Sequence, residues 1–189
     1  VESDKPEAVK RLEEALKDSG DYVVTPAMRY WQPDAQKAIT LLEQQNVNKI
    51  IALTLYPHYS KATTGSSVLD FEKQFEKSDL CKTIDEFTVI DCWPDHLDYV
   101  SCLAENIEDG AKEFGSEEPQ VVYSAHSLPV SFIEEGDPYV EHLEQTIRAV
   151  EALTNRKGIL CYQSRSGPVE WLSPSTSDII KKLASEGIK

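Results

Sequence analysis

The residues best able to do chemistry fall in five short segments. Arg29 and Tyr30 lie in MRYWQP, Tyr56 and His58 in LYPHYSKATTGSS, Trp93 and His96 in DCWPDH, His126 in YSAHSLP, and Trp171 in CYQSRSGPVEW. An imidazole suits borderline divalent ions, iron included, and a site that must pass its metal on needs few, labile ligands rather than a closed cage. A single histidine such as His126 fits a transient site of that kind. The TTGSS stretch, with Ser66 and Ser67, could offer hydroxyls and helix-start amides to a carboxylate or phosphate oxygen. The acidic EEGD at 134–137 could guide a cation inward, or be no more than solvated surface. Each residue taken singly is equally well explained by packing or capping, and it is their recurrence at one kind of position that asks for a site.

That position is the end of a strand. Short runs rich in β-branched and aromatic residues predict strands at Tyr22 to Met28, Lys49 to Tyr56, Phe87 to Trp93, Gln120 to Ala125 and Gly158 to Gln163. Between them runs helical periodicity. Val100, Leu103, Ala104, Ile107, Ala111 and Phe114 form one apolar stripe on a helix starting near Asp95. Asp137 is placed to cap a helix with Pro138 at its first position, and Val140, Leu143, Ile147 and Val150 line its face. Further helices are expected near 6–18, 33–45, 66–76 and 175–186. Alternation of this kind predicts an α/β fold with parallel strands buried on both faces. In open α/β sheets ligands bind beyond the carboxyl ends of the strands, so the five segments would meet at one edge. The polar EFGSEEPQ suggests a boundary, giving partial domains over 1–115 and 116–189.

Several classes are excluded or unsupported. A net charge of −14 opposes binding to nucleic acid or anionic lipid. No apolar run approaches the roughly 20 residues of a membrane span. Neither GxGxxG nor GxxxxGK[ST] occurs, so no nucleotide phosphate cradle is written here. Ser124 and Ser127 beside His126 lack the GxSxG turn of a nucleophilic serine. Cys81, Cys92, Cys102 and Cys161 form no CxxC pair and read as isolated thiols in an α/β core. The first residues, VESDKPEAVK, resemble neither a signal nor a transit peptide.

The segment VVYSAHSLPVSFIEEGDPYVEHLEQTI resembles the ferrochelatase signature, and MRYWQP, LYPHYSKATTGSS, VIDCWPDH and CYQSRSGPVEWLSP resemble further motifs of that family, in order. The resemblance covers about 20–189. It implies a three-layer αβα, Rossmann-like, chelatase-like architecture in which two subdomains flank a cleft, and an enzyme of the lyase class that inserts Fe²⁺, as substrate, into a porphyrin to form haem. By the resemblance His126 is metal ligand or acceptor of a pyrrole proton, and His96 is a second catalytic histidine. Arg29, Tyr30, Tyr56, Ser66, Ser67, Trp93 and Trp171 are expected to contact the porphyrin. A neutral imidazole can serve either proposed task, since its unperturbed pKa lies near 6.5.

The departures from the family pattern carry expectations of their own. The chain is expected to lack the family's first strand and porphyrin-lip loop, and to end before the strand that carries the active-site glutamate of an H-x-E motif. Raw sheet edges would then favour self-association, peripheral membrane association, or a second chain that supplies the missing strands. No iron–sulfur cluster is expected, because Lys61 stands where one cysteine ligand would lie. TTGSS is closer to the protoporphyrin-using branch than to the coproporphyrin-using one. The compartment follows the source: cytoplasmic for a bacterial chain, mitochondrion or plastid for a eukaryotic one. The competing readings are a non-catalytic porphyrin- or haem-binding remnant and an α/β domain whose ancestral site has decayed.

Overall fold

A computed structural model describes residues 6–189. The fold is α/β with parallel strand pairs, as the alternation predicts. It divides into two compact units. One runs through Leu55 and resumes over Ala62–Asp91; the other comprises Tyr56–Lys61 and Cys92–Lys189.

The first unit contains α1 (Glu7–Leu16), α2 (Ala35–Gln44), β1 (Lys49–Leu53), α3 (Ser66–Phe75) and β2 (Glu86–Ile90). Asp34 caps α2 by accepting the Lys37 N–H at 3.0 Å, which satisfies an otherwise orphan donor of the first turn. Strands β1 and β2 pair in parallel from Lys49↔Glu86 to Leu53↔Ile90. Ala35, Ile39 and Leu42 of α2, Ile50 of β1, Phe71 of α3 and Leu80 make the core, with Phe75 and Phe87 packed against it. Burial on both strand faces does not hold here: Ile51 and Leu53 of β1 and Ile90 of β2 are 58%, 43% and 40% exposed. Side chains alternate across a strand, and the helices cover only the Ile50 face.

Tyr22 to Met28, expected as a strand, forms no ladder. A strand needs a paired neighbour, and among the described residues β1 and β2 pair only with each other. Pro26 has no N–H to donate, and the Met28 N–H turns back to the Pro33 carbonyl at 2.8 Å.

The second unit contains α4 (Leu97–Lys112), β3 (Val121–His126), the short α5 (Val130–Glu134), α6 (Tyr139–Thr154), β4 (Gly158–Gln163) and α7 (Thr176–Ser185). Strands β3 and β4 pair in parallel from Val121↔Gly158 to His126↔Gln163. A Cβ on Gly158 would lie 2.1 Å from the Tyr123 ring, so only glycine lets that ring lie where it does. Val100 and Ala104 of α4 pack on Val150 of α6, with Leu103, Ile107 and Tyr123 beside them. Arg156, following α6, pairs with Glu108 of α4 at 3.0 Å and also with Glu118. Because α4 packs on α6, it belongs to the second unit, and the compact units part at 91/92 rather than at the polar stretch near 115.

Two expected details differ. Phe114 lies past the end of α4 and is exposed. Helix α6 begins at Tyr139, which leaves Pro138 as its half-in flanking residue and puts Asp137 just outside. The thiols are also not uniformly core residues: Cys161 is buried, Cys81 and Cys92 are half-buried and Cys102 is exposed. Among the described residues no helix is long and apolar enough to cross a membrane.

Candidate active site

His126 is the last residue of β3, paired across the ladder with Gln163, and its side chain is exposed. The Tyr139 hydroxyl donates to the His126 carbonyl at 3.1 Å and thereby joins the start of α6 to the strand end. Burial pushes the Tyr139 hydroxyl up to about 12, so it keeps its proton at neutral pH. Trp171 lies against the segment after His126. It bridges Pro129, while the Val130 N–H donates to the Glu170 carbonyl and the Leu172 N–H to the Leu128 carbonyl. The loop after β4 is thus stitched to the loop after β3.

Aromatic rings continue from Tyr139. Its ring meets His58 edge-on at 6.2 Å, His58 meets Tyr99 at 6.2 Å, and Tyr99 meets Trp93 at 5.2 Å. The segment Tyr56–Lys61 holds the middle of this run. The Trp93 N–H donates to its Pro57 carbonyl at 2.9 Å. Tyr56 is 55% exposed, and His96, the flanking residue at the N-terminal end of α4, is also exposed.

Three residues of α6 and its approach fasten that segment. The buried Thr146 hydroxyl lies 2.8 Å from His58 Nε2 and donates to the Pro94 carbonyl at 2.5 Å. His142 Nδ1 accepts the Tyr59 N–H at 3.1 Å. The carboxylate of Asp137, 7% exposed, accepts from Ser60 Oγ at 2.9 Å, from the Lys61 N–H at 2.8 Å and from the Tyr139 N–H at 3.0 Å. Burial, with His142 nearby, drives the His58 pKa down to about 4, so this ring is neutral at physiological pH.

The first unit holds the remaining candidates. Arg29 donates from Nε to Ser66 Oγ at 3.2 Å, lies 3.6 Å from Asp70 and stacks over Tyr30 at 4.9 Å. Ser67 Oγ donates to the Thr63 carbonyl at 3.1 Å. Ser66 and Ser67 do not open a helix as expected, because a π-helical turn over Lys61–Gly65 runs directly into α3 and makes them interior to one continuous helical stretch. Arg29, Tyr30, Ser66 and Ser67 therefore fall in the first unit, and Tyr56, Trp93, His96, His126 and Trp171 in the second. Among the described residues no set of three or more His, Cys, Asp or Glu could hold a metal ion.

The ferrochelatase family model matches residues 5–189. The chain belongs to the ferrochelatase family. It is 50% identical over 178 residues to a ferrochelatase of Desulfotalea psychrophila, covering 94% of this chain and 55% of that one. A ferrochelatase of Geobacter metallireducens is 45% identical over 184 residues, with 95% and 56% covered. The chain thus spans about half the length of the curated relatives it matches. Among solved structures it is similar in fold to SirB from Bacillus subtilis with Fe³⁺, at a TM-score of 0.61 and 11% identity, covering 96% of this chain and 67% of that one.

Within this ferrochelatase-family chain, Thr146, His142 and Tyr139 are the supporting residues that the motif reading missed, and Asp137 was read as a cap and as part of the acidic EEGD, whereas its carboxylate is buried against Ser60, Lys61 and Tyr139. One signal was available. Thr146 falls between Leu143 and Val150 on the inward stripe of α6, and a polar residue at a core position is the informative kind.

Proposed function

We propose that the chain carries out ferrochelatase chemistry, inserting Fe²⁺ into a porphyrin with release of two protons. His126 acts in this reading as metal ligand or as pyrrole-proton acceptor, and protoporphyrin IX is the favoured porphyrin. The single observation that carries it is the placement of His126 at the carboxyl end of β3, with its carbonyl tied to Tyr139 and its imidazole exposed, in a chain of this family. Two N–H protons must leave as the metal sheds water, and an accessible imidazole can take a proton or lend a lone pair. His96 is a second acceptor. Arg29, Tyr30, Tyr56, Ser66, Ser67, Trp93 and Trp171 are the porphyrin contacts in this reading, carried over from the family motifs in which they stand.

No iron–sulfur cluster enters this reading, because Lys61 stands where one cysteine ligand would lie. The exposed apolar Ile51, Leu53 and Ile90 support the expectation that the chain associates with a copy of itself or with a further chain.

The test is porphyrin metallation by the purified chain with Fe²⁺ or Zn²⁺, compared with His126→Ala. Loss of a proton acceptor that acts in the rate-limiting step lowers turnover by about 10²–10⁴-fold. Equal rates for the two proteins would remove His126 from the site. Saturable quenching of tryptophan by porphyrin without any metallation would favour a binding role over catalysis.

A further inference from the structure

The Thr146 hydroxyl is buried, has one proton, and faces three candidate partners. The Pro94 carbonyl is 2.5 Å away, the His142 carbonyl 3.3 Å, and His58 Nε2 2.8 Å. Two oxygens at 2.5 Å lie at the short limit of an O–H···O bond, and without a proton between them they would repel. The proton therefore goes to Pro94, which is itself buried. Thr146 then has only lone pairs for His58, so His58 Nε2 must carry a hydrogen and its Nδ1 is bare. One hydroxyl thus sets the tautomer of His58 and at the same time fixes the turn between Trp93 and His96.

We propose that Thr146 is a positioning residue for the porphyrin site, locking His58 in its Nε2–H form and pinning the Trp93–His96 turn through the Pro94 carbonyl. This rests on the porphyrin reading above for its function, although the tautomer assignment stands on the hydrogen bonds alone. His58 has Tyr99 and Tyr139 against its ring, so a ring held in one orientation keeps the aromatic run from Trp93 to Tyr139 in register. The neutral state needed for a single tautomer is supplied by burial of the ring.

The experiment compares the wild-type chain with Thr146→Val and Thr146→Ser. Long-range ¹H–¹⁵N spectra of histidine-labelled protein report the His58 tautomer, and tryptophan quenching by protoporphyrin IX reports the site. Wild type and the serine variant are expected to show a single Nε2–H signature. The valine variant should lose it and bind porphyrin about tenfold more weakly, equivalent to ~1.4 kcal/mol. An Nδ1–H signature in the wild type overturns the proposal, as does a serine variant that behaves like valine or a valine variant that retains wild-type tautomer and affinity. If the wild-type chain shows no quenching, the porphyrin reading fails separately, and the tautomer spectra still decide what Thr146 does to His58.

Discussion

Replacing Asp137 with alanine removes the acceptor on which the Tyr56–Lys61 segment and the start of α6 converge. Three donors lose this acceptor: Ser60 Oγ, the Lys61 N–H and the Tyr139 N–H, at 2.9, 2.8 and 3.0 Å. Hydrogen bonds to a charged group contribute about 1.5–3 kcal/mol each, which puts the gross loss near 4.5–9 kcal/mol. Burying the carboxylate costs several kcal/mol, and the alanine variant recovers that amount. Lys61 is also only half-buried, so water can reach part of what is orphaned. The net expectation is a loss of about 3 kcal/mol. Asp137→Asn keeps one acceptor but aims an NH₂ at a donor, and should lose about 1–2 kcal/mol. Urea unfolding followed by tryptophan fluorescence measures the loss, and amide hydrogen exchange localises it. At about 1.4 kcal/mol per tenfold, the Lys61 amide should exchange roughly 100-fold faster in the alanine variant. An alanine variant within about 1 kcal/mol of wild type, with Lys61 exchange unchanged, would refute the view that Asp137 fastens this segment.

His58 titrates near 4 in the folded chain and near 6.5 when unfolded, so between those values the unfolded chain binds the extra proton. Stability from this group is therefore complete above about pH 6.5 and declines as pH falls toward 4. A fully shielded ring would contribute about 3 kcal/mol; solvent screening of this partly exposed one lowers that to about 1–2 kcal/mol. His58→Gln should flatten the stability-versus-pH curve over that window, and parallel curves for the two proteins would count against it. Among the described residues the buried Tyr123 hydroxyl has no hydrogen-bond partner, so Tyr123→Phe should leave the unfolding midpoint unchanged or raise stability by up to about 1 kcal/mol. A clear loss on thermal unfolding would mean that the hydroxyl has an effective partner.

The elements governed by local pattern were legible in the sequence. Gly158 to Gln163 is the strand that its apolar run predicts, and β3 ends on His126, one residue beyond the expected run. The stripes of α4 and α6 bury Val100, Ala104, Leu143 and Val150 as their spacing requires. Tyr22 to Met28 failed for a related reason: β-branched and aromatic composition measures fitness for a sheet, and says nothing about whether a neighbouring strand is there to pair.

The sequence by itself determined the alternating elements, the family and the strand-end position of His126, because each of these is carried by short-range periodicity or by contiguous motifs. Only the tertiary structure decided that Tyr56–Lys61 joins the second unit and that Thr146, His142 and Asp137 hold it there. Those bonds join residues 88, 83 and 77 positions apart. A hydroxyl or carboxylate has no preferred partner along the chain; its partner is whichever donor the packing of α6 brings within reach of a buried site, where leaving it unpaired would cost free energy.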